Sequence, residues 1–214
     1  MVPKLALPPE RPAPKPTRIV LIRHAQSGQN DQGVIQGQSD DTGLTEQGRR
    51  EAGLTAAVIA DLLIDMVYCS PARRAKETAA ILFPGREVIE LPELWERNFG
   101  IWQGLTFDAV RQRWPAEHAV FDQTREILVP GAERLREYQE RCSKLAERLV
   151  LDHPGKTVAL VTHAGIVRGV TAFVAGRRKV LKAETRNCGI TILEYDRLLK
   201  SFSVVQFDEA GHLR

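Results

Sequence analysis

The stretch IVLIRHAQSGQN, residues 19–30, joins four apolar residues to an arginine–histidine pair and then to a small polar segment containing glycine. A continuous, β-branched apolar run of this length reads as a strand buried on both faces, the kind that parallel sheets use. Core packing has no use for Arg23 and His24 at its end. The pair is therefore either an exposed strand terminus or a site in which Arg23 holds an anion and His24 acts on it. TVALVTH, residues 157–163, repeats the pattern, again an apolar run ending in a histidine.

Outward from these two runs, strand-like and helix-like segments alternate. Thr45-Glu46 opens a segment of helical length and spacing, residues 65–70 read as a strand, and residues 70–82 as a helix with Ser70 as cap and Pro71 at its first position. Residues 87–91 are strand-like until Pro92, and residues 106–123 are helical but broken at Pro115. Leu135, Tyr138, Cys142, Leu145 and Leu149 recur at spacings of three and four, which predicts an amphipathic helix. Residues 164–176 follow as a helix that Gly176 ends, and two further strands close the chain. The expected fold class is α/β, a three-layer α/β/α sandwich around a mostly parallel central sheet. Residues 1–17 carry six of the prolines and read as an extended or disordered lead, with one domain over residues 18–214.

Composition narrows the function classes. Apolar content of 43% and charged content of 27% are ordinary for a soluble protein, and a formal net charge of +3 is too mild for a typical nucleic-acid binder. No apolar run reaches the length of a membrane span, and no signal-peptide core precedes the first strand. Cys69, Cys142 and Cys188 are scattered, as expected of buried, reduced thiols in a cytoplasmic protein. No close His/Asp/Glu spacing recurs, so no metal and no cofactor are expected.

In open α/β sheets, ligands bind beyond the carboxyl ends of the strands. His24 and His163 both stand there, Arg73 and Arg74 follow a third strand end, and Glu93 and Glu96 follow a fourth. This set suits phosphoryl transfer. A neutral imidazole attacks phosphorus, arginine forks match phosphate oxygens, and a carboxylic acid protonates the leaving alkoxide. Backbone amides at Ala164 and Gly165 could bind a further oxygen.

With those residues in place, the sequence resembles the histidine phosphatase superfamily, whose founding members are the cofactor-dependent phosphoglycerate mutases. RHAQSGQN stands where that family has Arg-His-Gly-Glu and a following Asn, SPARRAKETA matches its Ser-Pro-x-x-Arg-Ala segment, and ERNFGIWQG its Glu-x-x-x-Gly-x-x-x-Gly. PGAERL and VTHAGIVR complete five ordered motifs. The resemblance implies that His24 is the phosphorylated nucleophile and that Arg23, Arg74, His163 and Asn30 form the phosphate pocket. It makes Glu96, rather than Glu93, the proton donor, and it places Gln36, Gly37 and the segment around Thr45 near the phosphate. Ala25-Gln26 departs from the usual Gly-Glu; it removes one negative charge beside the nucleophile.

The resemblance covers phosphatases and mutases alike. The short span between Glu96 and His163 favours a phosphatase with an open site acting on a small phosphorylated substrate, in a monomer or homodimer. A phosphoglycerate mutase and a non-catalytic phospho-ligand binding module are the alternatives. Residues 106–129 are expected to lie over the site and to offer Trp114, Phe121, Arg111, Arg113 and Arg125, with Trp114 and Arg111 as candidate substrate contacts.

Overall fold

The first strand, β1 (Thr17–Arg23), shows why an unbroken apolar run is needed. Successive side chains on a strand face opposite sides of the sheet. Ile19 and Leu21 enter one core, Val20 and Ile22 the other, and all four are buried. Val158 and Leu160 of the later strand join the first core, while Ala159 and Val161 join the second. Each large aliphatic side chain fully buried in this way contributes about 1.5–3 kcal/mol.

The computed structural model describes residues 14–39 and 42–213, so most of the expected proline-rich lead lies outside the described residues. After β1 come α1 (Gly28–Asp31), α2 (Glu46–Ile59), β2 (Met66–Cys69), α3 (Arg73–Leu82) and β3 (Ile89–Glu90). They are followed by α4 (Phe107–Arg113), α5 (Pro115–Thr124), α6 (Leu135–Asp152), β4 (Thr157–Thr162), α7 (Ala164–Val174), β5 (Ile190–Asp196) and β6 (Ser201–Glu209). The sheet order is β3-β2-β4-β1-β5-β6. β1, β2 and β3 run parallel with their neighbours through β4, whereas β5 and β6 form an antiparallel edge. Buried residues of α6 and α7 cover one face and those of α2 and α3 the other, giving the three-layer α/β/α sandwich.

Three sequence expectations shift. Thr17 belongs to β1, fully buried and paired with Tyr195, so the folded region begins one residue before the expected boundary. The strand expected up to Pro92 is reduced to Ile89–Glu90, because only Tyr68 and Cys69 on β2 offer it partners. Helix α3 begins at Arg73 rather than at Pro71. Ser70, expected as its cap, accepts a hydrogen bond from the Ala72 amide at 3.3 Å just ahead of the helix and also bonds the second histidine. Among the described residues no helix is long and apolar enough to cross a membrane. Cys69, Cys142 and Cys188 are free and buried.

Candidate active site

Parallel register places the two strand-end histidines together. Arg23 on β1 pairs with Thr162 on β4, so His24 and His163 leave the sheet side by side, with the His24 N–H bonded to the Thr162 carbonyl at 2.8 Å. Their ring centroids are 5.1 Å apart at an interplanar angle of 64°. Ser70 leaves β2 at the same level and lies 2.7 Å from His163 Nε2 through its hydroxyl. The Trp95 ring is parallel to His163, with centroids 6.4 Å apart.

His24 has a defined tautomer. Its Nδ1 lies 2.8 Å from the Ala25 carbonyl, which can only accept, so Nδ1 carries the hydrogen and Nε2 keeps its lone pair. Burial, with the Arg74 and Arg23 charges adding to it, holds the His24 imidazole well below the ordinary 6.5. The ring is therefore neutral at neutral pH. Burial and Arg74 likewise depress His163, whose Nδ1 is buried with no partner among the described residues.

Two arginines flank this pair. Arg23 is steered by a 2.6 Å bond from Nη1 to the Thr185 carbonyl. Arg74 sits in the first turn of α3, 1% exposed, with Nη1 on the Ser39 carbonyl at 2.7 Å and Nη2 on that of Gly37 at 2.8 Å. Gly37 has φ +51°, and a Cβ there would stand 2.1 Å from Gln103 Oε1; only glycine lets this turn present its carbonyl to Arg74. Asn30 Oδ1 accepts from the Ser27 amide at 3.1 Å and its hydroxyl at 2.9 Å, which leaves the Asn30 NH₂ as its group available to a ligand. Gln36 is fixed by the same hydroxyl, 3.1 Å from its Oε1.

Glu96 completes the ring of groups. Its Oε1 accepts from the Arg97 amide at 2.7 Å and its Oε2 from the Gly165 amide at 2.9 Å. A Cβ on residue 165 would lie 1.9 Å from Glu96 Oε1, so glycine at that position is what admits the carboxylate. This changes the expected role of Gly165: its N–H is engaged by Glu96 rather than left for a phosphate oxygen.

Arg23, His24, Asn30, Gln36, Gly37, Arg74, Glu96, His163 and Gly165 all line one cavity of about 360 Å³. Trp114 and Arg111 do not line it, against the sequence expectation. Trp114 packs against a small core of Ile35, Trp102, Val110 and Phe121 beneath the covering segment. Arg111 is exposed and pairs with Asp108 at 2.9 Å one turn earlier in α4, because its helical phase points it to solvent. Of the residues expected from the covering segment, Phe121 and Arg125 do line the cavity, joined by Phe107. Thr45 caps α2, accepting from the Gly48 amide at 3.0 Å, and is not part of the lining. Glu93 pairs with Arg148 at 2.7 Å on the outer surface. Sequence reasoning passed over Tyr138 and Arg168; the last residue of the VTHAGIVR motif was the available signal for Arg168. Among the described residues no group of three or more His, Cys, Asp or Glu side chains is placed to hold a metal ion.

Gln26 lies outside the cavity lining. Its Oε1 accepts from the Thr45 hydroxyl at 2.7 Å, and its backbone amide donates to Glu51 Oε2 at 3.0 Å. A carboxylate, Glu51, thus already stands beside the backbone of the residue that departs from the family pattern.

Comparison with known proteins identifies the family and the fold. A family model described as the histidine phosphatase superfamily (branch 1) matches residues 19–207. A metal-independent phosphoserine phosphatase of Arabidopsis thaliana is 35% identical over 165 residues, covering 72% of this chain and 67% of its own. A 2,3-bisphosphoglycerate-dependent phosphoglycerate mutase of Parvibaculum lavamentivorans is 33% identical over 165 residues, covering 72% of this chain and 78% of its own. The crystal structure of a phosphoserine phosphatase from Entamoeba histolytica, in complex with 3-phosphoglyceric acid, superposes with a TM-score of 0.83 at 25% identity, covering 92% of this chain and 100% of that one. The chain spans 38% and 41% of the length of the first curated relatives it matches, about two fifths. Matched across most of its residues in sequence and in fold, this chain belongs to the histidine phosphatase superfamily, branch 1.

Proposed function

We propose that this chain is a metal-independent phosphomonoesterase that works through a phosphohistidine at His24 on a small phosphorylated metabolite. The observation that carries the reading is the state of His24: buried, neutral, and locked by the Ala25 carbonyl into the tautomer whose Nε2 holds a lone pair. The site around it has what the reaction needs. Arg23, Arg74 and the Asn30 amide take the phosphoryl oxygens, and the charge spread over those oxygens in the transition state is met by fixed guanidinium groups. His163, beside His24 and with a ring nitrogen unpaired, is a further contact for the same oxygens.

The steps balance as follows. The Nε2 lone pair forms a bond to phosphorus as the ester P–O bond breaks, and the Glu96 carboxyl gives its proton to the departing alkoxide. Water then attacks the phosphohistidine, Glu96 takes a proton from that water, and the P–N bond breaks to release phosphate. Both Glu96 oxygens accept a backbone N–H, which fixes the carboxyl group in orientation while a second lone pair on each oxygen stays free for the proton. The metal-independent phosphoserine phosphatase among the relatives supports the same reading.

The test is phosphate release from a panel of phosphomonoesters in the presence of EDTA, including phosphoserine, 3-phosphoglycerate, sugar phosphates and 4-nitrophenyl phosphate. Multiple turnover, with a phosphoryl group trapped on His24 by rapid quenching and peptide mass analysis, is the expected result. Transfer to a second substrate hydroxyl without net phosphate release would make the chain a mutase. Binding without turnover would make it a binding module.

A further inference from the structure

The charge balance of the cavity exceeds what one phosphate needs. Its lining contains five arginines, Arg23, Arg74, Arg97, Arg125 and Arg168, against a single carboxylate, Glu96. Arg97 is fully engaged: it donates to the Glu133 carbonyl through Nε at 3.2 Å and Nη2 at 2.9 Å and to the Arg125 carbonyl through Nη1. Arg23 and Arg74 frame the strand-end histidines and answer a phosphate dianion. Arg125 and Arg168 remain.

Neither has an adequate partner among the described residues. Arg125 Nε is buried without a hydrogen bond, and the nearest carboxylate oxygen to its Nη1 is Asp122 Oδ1 at 3.9 Å, on a side chain 57% exposed. An ion pair so long and so open to water contributes little. Arg168 reaches the Ala183 carbonyl through Nη1 at 3.4 Å and forms no ion pair. Yet the two guanidinium groups feel each other: burial and then the Arg168 charge depress Arg125, and Arg168 also acts on Arg23. Arg23, Arg125 and Arg168 all line the same cavity. Two half-paired like charges held around one cavity are costly unless an anion sits with them.

The fold holds Arg125 there deliberately. It ends α5 with φ 65°, a left-handed conformation that few non-glycine residues adopt, and its guanidinium lies over the Phe121 ring at 4.8 Å. Phe107, Phe121, Leu135 and Leu181 supply apolar wall to the same cavity.

We propose that Arg125 and Arg168 form a second anion subsite, and that the preferred substrates are phosphomonoesters whose alcohol portion carries a carboxylate. The proposal rests on the phosphatase reading. A planar carboxylate matches a guanidinium fork in two parallel bonds, and the apolar wall accepts the short carbon skeleton between the two anions.

The experiment compares matched substrates that differ in the carboxylate: phosphoserine against phosphoethanolamine, and 3-phosphoglycerate against glycerol 3-phosphate, with 4-nitrophenyl phosphate as reference. The expected result is a kcat/KM ratio of at least about tenfold in favour of the acid in each pair. Arg125→Met and, independently, Arg168→Met should bring that ratio towards one, mainly through KM of the acid, and Arg125→Lys should restore part of it. Equal rates for both members of each pair in the unaltered protein would overturn the subsite. So would a fall in both members by the same factor in folded Arg125→Met and Arg168→Met proteins. Absence of turnover on every substrate, 4-nitrophenyl phosphate included, would instead remove the phosphatase reading and the subsite with it.

Discussion

The cavity has a floor and a cover, and the two are built on different principles. The floor consists of groups at or just beyond strand ends, Arg23, His24 and His163, held by bonds to main-chain atoms or, for His163, to the Ser70 hydroxyl. The cover, α4 and α5, has its own small core of Trp102, Val110 and Phe121 and touches the cavity through side chains chosen by helical phase. In the floor a side chain's position follows from sheet register. In the cover it follows from how one short helix pair rests on its neighbours. The floor therefore suits chemistry common to a superfamily, and the cover suits selection of the alcohol.

The sharpest way to test that division is to remove the central floor group. On the proposed phosphatase reading, His24→Ala should lower phosphate release by about 10⁴-fold or more while the fold survives, because it would delete the nucleophile and leave the binding groups. Near-normal turnover, measured after confirming the circular dichroism spectrum, would transfer the nucleophile's role elsewhere. A second floor substitution acts through geometry alone. Gly165→Ala puts a methyl group 1.9 Å from Glu96 Oε1, so the carboxylate has to move. Turnover of alkyl phosphates should fall about 100-fold and that of 4-nitrophenyl phosphate much less, since a good leaving group needs little protonation. Equal losses on both would count against Glu96 as the acid.

The same contrast explains what could be read from the sequence. Both histidine strand ends were legible because a buried parallel strand requires a continuous apolar run, and the residue that ends it has nowhere to go but the carboxyl rim. Glu96 was singled out only through the resemblance, since Glu93, three residues earlier, has the same chemistry and faces away. Ser70 was read only as a helix cap because Ser-Pro before a helix is a strong local signal; its hydroxyl does accept from the Ala72 amide, but its shorter contact, to the imidazole of His163, is distant in sequence and could not be read locally. Trp114 and Arg111 were chosen by composition alone. Which face of α4 and α5 meets the cavity depends on tertiary packing, and an arginine every few residues carries no phase information. Arg125 reaches the cavity at a left-handed helix end that no residue type there announces.

The floor should also be the acid-labile part of the molecule. His24 and His163 are both held well below the ordinary 6.5 by burial and by neighbouring arginines. Below that pH the unfolded chain takes up protons that the folded chain refuses, so stability falls as pH falls from 6.5 towards the folded-state values. Each histidine costs up to about 1.4 kcal/mol per pH unit in this window. The melting temperature should therefore drop between about pH 6.5 and pH 5.5, and His24→Ala should flatten the decline. A profile equally steep without His24 would place the acid sensitivity in other groups.

A smaller effect is expected at Gln26, the residue that departs from the family pattern beside the floor. Its side chain bonds the Thr45 hydroxyl and does not line the cavity, and Glu51 already supplies a carboxylate to its backbone amide. Gln26→Glu should change kcat by less than about threefold, a shift of under ~0.7 kcal/mol in the barrier. A gain of tenfold or more would show that a negative charge at position 26 tunes His24 through the intervening Ala25, and would move Gln26 from the edge of the site into it.

The smallest change should come from the outer face of the cover. Arg111 is exposed, and its pair with Asp108 joins side chains that are 65% and 77% accessible, the kind of contact that contributes well under ~1 kcal/mol. Arg111→Ala should leave kcat and KM within about twofold for every substrate tested, and should shift the melting temperature by no more than about 2 °C. Arg125→Met, one helix away, should alter the ratio between acidic and neutral substrates in the same assays. If Arg111→Ala instead raises KM for acidic substrates as strongly as Arg125→Met does, α4 has to turn towards the cavity when substrate binds. The cover would then be a moving element, and the contrast with the fixed floor would be one of dynamics as well as of construction.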